Sequence, residues 1–121
     1  MLLFSKDHEY ARVEGDSATV GISDYAQAQL GDVVFVDLPK VGQRIARGES
    51  VAVVESVKAA SDVFSPVAGE VVAVNGALEA SPSLVNEDAL GAGWMFKVRI
   101  EAGPEGMMDA SAYDDFLKTI G

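Results

Sequence analysis

Four runs rich in β-branched residues constrain this chain most: VVFVD at 33–37, SVAVVESV at 50–57, DVFSPVAGEVVAV at 62–74 and GWMFKVRIE at 93–101. Valine and isoleucine lose side-chain freedom in a helix and pack well on a pleated surface, so such runs read as strands. After Pro39, Gly42 and Gly48 break the text into short steps of strand and turn. In the last run Trp94, Phe96, Val98 and Ile100 alternate, which predicts one shared face. Residues 41–57 and 66–79 are weakly alike, each holding a glycine, a Val-rich strand and a turn, as two similar half-units would. The expectation is a mainly β fold built from small side chains.

Helical signals are few. EYARVEGDSATVGI at 9–22 alternates about Gly15-Asp16 and predicts a hairpin. Ser23 is placed to cap a short helix over DYAQAQL, and Gly31 to stop it. Asn75-Gly76 resembles a hairpin turn, but residues 77–93 lack alternation and read as a long loop with one helical turn. Tyr113, Phe116, Leu117 and Ile120 sit at i, i+3, i+4 and i+7, predicting a C-terminal helix capped by Asp109 or Ser111. A chain of 121 residues without a low-complexity linker is expected to form a single domain over 1–121.

Charge and composition exclude several functions. The net charge of −10 repels phosphate backbones and anionic lipid, so neither nucleic acid nor membrane is an expected partner. The same charge favours basic patches on partner proteins. With no cysteine there is no thiolate catalysis, disulfide or cysteine metal site, so any dithiol chemistry must come from a cofactor. The opening MLLFSKDHEY shows no basic leader, and no segment reaches membrane-spanning length, so a cytoplasmic protein of bacterial type is expected.

As a free-standing enzyme the chain offers little. His8 is the only histidine; near a terminus it reads as a surface residue, and alone it builds no metal site. Glu87-Asp88 and Asp114-Asp115 are adjacent pairs whose side chains diverge, so they read as solvated acids rather than a shared acid–base site. GAG at 91–93 lacks the lysine and the strand–helix setting of a phosphate loop. Neither catalytic residues nor metal ligands are expected.

Lys58 stands apart from the other four lysines. It lies between two β-prone segments whose reversal must fall near 57–61, where no glycine or proline marks it. A lysine at such a tip projects from the core, and the small neighbours Ala59, Ala60 and Ser61 leave room for another protein to grip it. Those are the requirements of a modification site and of a swinging arm.

Here the sequence resembles a known family. VESVKAASDVFSPVAGEVVAVN is similar to the lipoyl-attachment region of the H protein of the glycine cleavage system. KDHEYARVEGDSATVGISDYAQAQLGDVVFVDLPKVG, LVNEDALGAGWMFKV and MDASAYDDFL extend the resemblance, in order, from about Lys6 to Leu117. It implies a single lipoyl-carrier domain with a flattened β barrel-sandwich hybrid fold, short helices and a C-terminal helix. It implies lipoate joined to Lys58 through an amide, Glu55 as a recognition residue for the lipoate-attaching enzyme, and Gly69 in a backbone turn. Val57 and Ala59 stand where biotinyl domains carry methionine, which argues against biotin.

The implied role is a carrier, not an enzyme. Lipoate supplies the reactive dithiol. The arm takes an aminomethyl group from the pyridoxal-phosphate glycine decarboxylase, presents it to the tetrahydrofolate-dependent aminomethyltransferase, and is reoxidised by dihydrolipoyl dehydrogenase. Glu9 and Asp62 match polar residues of a cleft that shelters the loaded arm. Gln29 stands where some relatives have histidine, and it can hydrogen-bond but not titrate. An alternative is a lipoate-relay protein that passes lipoate from Lys58 to other acceptors.

Overall fold

The computed structural model describes residues 1–102 and 106–120. Strands β1 (Leu2–Phe4), β2 (Glu9–Glu14) and β3 (Ser17–Ile22) lead into helix α1 (Asp24–Leu30), followed by β4 (Val33–Asp37), β5 (Arg44–Ile45), β6 (Ser50–Ser56), β7 (Ala60–Phe64) and β8 (Ala68–Val74). Short helices α2 (Ala77–Ala80) and α3 (Leu84–Glu87) precede β9 (Phe96–Ala102), and α4 (Ala110–Ile120) comes last. All strand pairs are antiparallel, in a six-stranded sheet of order β1-β2-β3-β9-β8-β5 and a three-stranded sheet of order β4-β6-β7. The mainly β, flattened two-sheet architecture agrees with expectation, and neither sheet closes on itself. No helix among the described residues is long and apolar enough to cross a membrane.

The hairpin at 9–22 forms with Glu14 opposite Ser17, and Gly15 takes the positive φ of 61° that a two-residue loop asks of its glycine. Ser23 caps α1 by accepting the Ala26 N–H at 3.2 Å, and Gly31 ends it at φ 79°. One apolar cluster draws on both sheets: Val20, Phe96, Val98 and Val71 from the larger, Val36, Ala52, Val54 and Val63 from the smaller. Leu78 of α2 and Val85 of α3 plug into it, so the stretch after Asn75 carries two helical turns rather than the one expected. Asn75 makes no hairpin. Its amide donates to the carbonyls of Ala92 and Trp94, both at 2.8 Å, and accepts from the Ala77 N–H, so it staples two ends of this segment together.

Two expectations are corrected. Strand β9 begins at Phe96, not Gly93; Trp94 lies before it, half-buried with Lys97 over its ring, while Met95 takes the buried place. Gly69 is not in a turn. It lies within β8 beside a register irregularity, and a Cβ there would run into the Arg99 carbonyl of β9, so its smallness serves close strand approach. The C-terminal helix forms as the spacing predicts; along α4 Tyr113 is buried, Phe116 and Leu117 are half-buried, and Ile120 at its end is 47 % exposed. Asp109 rather than Ser111 caps that helix, accepting the Ala112 N–H at 2.8 Å. Segments 41–57 and 66–79 place their main strands, β6 and β8, in different sheets.

Candidate functional site

The β6–β7 hairpin reverses in two residues. Glu55 pairs with Ala60, and the Ser56 N–H donates to the Ala59 carbonyl at 2.8 Å, leaving Val57 and Lys58 as the loop. The device that replaces glycine or proline is the Ser56 side chain. Its Oγ accepts the N–H groups of Lys58 and Ala59, each at 3.2 Å, and lies 3.2 Å from the Ala59 carbonyl, to which it donates. Sequence reasoning passed over Ser56, although a serine just before an unmarked reversal is the signal that could have found it.

Lys58 is exposed at this tip, with Ala59, Ala60 and Ser61 exposed beside it and Val57 67 % exposed. The tip is not loose. The Val57 N–H donates to the Asp32 carbonyl at 3.0 Å, and Lys58 Nζ reaches the Gln29 carbonyl at 3.4 Å. Gly31 lets the lysine stem pass, since a Cβ there would stand 3.1 Å from Lys58 Cε. The ammonium therefore lies at the C-terminal end of α1, where the helix dipole favours a cation.

Next to this tip is a cleft of about 210 Å³ between α1, the turn before β2, and the β6–β7 pair. Ile22, Ala26, Leu30, Val54 and Val63 make its walls apolar. Glu9, Gln29 and Asp62 all line it, so the structure brings together the three residues named for a cleft. Their roles differ. Glu9 is only 3 % exposed; burial pushes its carboxyl up to about 7, against the Ser5 hydroxyl that donates to it at 2.6 Å, while Asp7 pushes the same way as burial. The Asp62 carboxylate accepts the Ser50 hydroxyl at 3.0 Å and is exposed. Gln29 acts toward Lys58 through its main-chain carbonyl rather than its amide.

His8 is the residue the sequence undervalued. It lines the cleft in a left-handed conformation, φ 69°, half-buried against Tyr25 with ring centroids 4.7 Å apart. Its Nδ1 lies 2.7 Å from the Tyr113 hydroxyl, which lies 2.7 Å from Ser23 Oγ. Burial holds the imidazole below its ordinary pKa, with Asp7 opposing. No periodicity could show this, because its partner is on the C-terminal helix. Glu55 is exposed on the rung Phe35–Glu55–Ala60, three residues from Lys58. Glu87 and Asp88 turn to separate partners, the Ser83 hydroxyl and the Ala92 N–H.

The arrangement is a gripped but exposed lysine beside a small apolar cleft with one buried acid. The model for the family described as "Glycine cleavage H-protein" matches residues 2–120. The chain belongs to that family. It is 58 % identical over 119 residues to the glycine cleavage system H protein of Beijerinckia indica, covering 97 % of this chain and 96 % of that protein. It is 58 % identical over 113 residues to the H protein of Bradyrhizobium diazoefficiens, covering 92 % and 93 %. Among solved structures it is similar to a glycine cleavage system H protein from Mycobacterium marinum, with TM-score 0.91, 36 % identity, and 97 % and 96 % of the two chains covered. The role that follows from membership is that of a lipoyl carrier in the glycine cleavage system.

Proposed function

We propose that Lys58 is the point of lipoate attachment and that the adjacent cleft receives the arm. The observation that carries this is the tip itself: an exposed lysine on a two-residue loop held in register by Ser56 and Asp32. The amide forms between Nζ, which loses two of its three protons and keeps one as the amide N–H, and an activated lipoyl carboxyl whose activating group leaves. Exposed Glu55 and the small residues 59–61 give the attaching enzyme its grip. Acylation removes the lysine charge, so the attraction to the end of α1 falls and the arm is freed to move.

The residues present fit the group. The apolar walls suit a hydrocarbon arm with a dithiolane ring, and Glu9 suits a cationic amine at its end. Bound at Lys58, lipoate would supply a cyclic disulfide able to accept two electrons and an aminomethyl group, one sulfur taking the group and the other ending as a thiol. The chain's own part is to orient the arm, to shelter its end from water, and to hold a carboxylate at Glu9 when a cation enters. Its proposed partners are glycine decarboxylase, aminomethyltransferase, dihydrolipoyl dehydrogenase and the lipoate-attaching enzyme, in the cytoplasm of a bacterium. Tethering keeps the reactive end at high local concentration for each encounter.

Lys58→Arg tests this directly. Arginine keeps the charge at the end of α1 but cannot form the lipoyl amide. The variant is expected to fold with an unchanged melting temperature and to accept no aminomethyl group when mixed with the full set of partner enzymes. Undiminished glycine decarboxylation with that variant would remove Lys58 from the arm.

A further inference from the structure

Asn86 lies 28 positions from Lys58 in sequence and does not touch it, yet it organises the surface on which the tip rests. Its Oδ1 accepts the Val33 N–H at 2.8 Å. Its Nδ2 donates to the Gly31 carbonyl at 2.8 Å and to Gln27 Oε1 at 3.0 Å. One half-buried amide thus clamps both sides of the turn between α1 and β4. That turn supplies the Asp32 carbonyl to the Val57 N–H and the passage past Gly31 for the lysine stem. The adjacent Gln29 carbonyl, in the last turn of α1, receives Nζ. Asn86 is itself anchored, because its neighbour Val85 is fully buried in the core and Gly93 packs against the Leu84 carbonyl.

We infer that Asn86 is a positioning residue for the modified lysine: it transmits the rigidity of the core, through α3 and the 31–33 turn, to the Val57–Lys58 tip. The functional half of this inference rests on Lys58 being the lipoyl attachment point. A tip ordered in advance lets an attaching enzyme dock without first immobilising it, so the benefit appears in acceptor binding rather than in bond formation.

The test compares three full-length, unmodified chains: wild type, Asn86→Ala, and Ser65→Ala. Ser65 is buried in the β7–β8 connection, at the other end of β7 from the tip; its hydroxyl donates to the Val67 carbonyl at 2.6 Å and accepts the Val67 N–H at 3.3 Å, so its loss reports general loss of stability. Native-state hydrogen exchange of the Val57 N–H is expected to be about ten-fold faster in Asn86→Ala, with no comparable change in Ser65→Ala. With a lipoate-attaching enzyme, the apparent KM for Asn86→Ala as acceptor is expected to rise about ten-fold while kcat stays within about two-fold. Unchanged Val57 exchange, or equal acceleration in Ser65→Ala, overturns the positioning role. Fast exchange with an unchanged KM overturns its functional half. If Asn86→Ala does not fold, Asn86→Asp is read by the same criteria, since it keeps the acceptor for Val33 and sets a carboxylate against the Gly31 carbonyl. A wild-type chain that takes no lipoate would sink the Lys58 reading but leave the exchange result standing.

Discussion

Glu9 is buried, accepts a short hydrogen bond from the Ser5 hydroxyl and a long one from the Phe64 N–H, and has a carboxyl raised by burial to about 7. An acid whose folded pKa lies above its unfolded value binds more protons folded than unfolded over the interval between them. Stability therefore falls as pH rises from about 4.5 to about 7, by up to roughly 3 kcal/mol, and is level above that. Glu9→Gln keeps an acceptor for the Ser5 hydroxyl but cannot ionise. It is expected to raise stability at pH 8 and to flatten this slope, as measured by urea melts at pH 5, 6, 7 and 8. An unchanged slope would mean that Glu9 is not the titrating group. A destabilising acid in the cleft next to the tip accords with a role toward a cation rather than in packing. Lys58 itself was legible because a lone lysine between two β-prone runs contradicts its surroundings. Ser56 and His8 were not, since a serine hydroxyl and a lone imidazole acquire meaning only from the partners that folding brings to them.

At the scale of elements, α4 acts on the cleft it does not line. Tyr113 stacks on Phe4 at 4.3 Å, and its hydroxyl joins His8 to the Ser23 cap of α1. Tyr113→Phe keeps the stack and loses both hydrogen bonds, leaving the buried Ser23 hydroxyl without this partner. A loss of about 1–2 kcal/mol in chemical denaturation is expected, together with a changed His8 titration by NMR; a fully silent variant would contradict the link. Period-3.6 spacing showed α4 and its buried face, and cap chemistry showed α1. It could not show β1 or β5, which are only three and two residues long and exist through their pairing with β2 and β8. Nor could it separate Trp94 from β9, because alternation alone does not say where the hydrogen-bond ladder starts.

Over the whole molecule, binary patterning and glycine punctuation were enough for the mainly β class, but not for the division into sheets of six and three. That division depends on non-local pairs such as β3 with β9, which local propensity does not encode. The motif resemblance supplied the architecture and the carrier role, and the family match over residues 2–120 agrees with it. The net charge of −10 opposes self-association and complements basic surfaces on a partner. A small β scaffold with a lysine at one end, a cleft beside it and a helix latched behind suits a carrier component of the glycine cleavage system.

The most direct test of that account is the intact mass of the protein purified from its own cells, with fragmentation to place any added group. The account predicts a lipoyl increment borne by the peptide that contains Lys58. A bare Lys58 in cells with working lipoate attachment, or an increment on Lys6, Lys40, Lys97 or Lys118 instead, would contradict it.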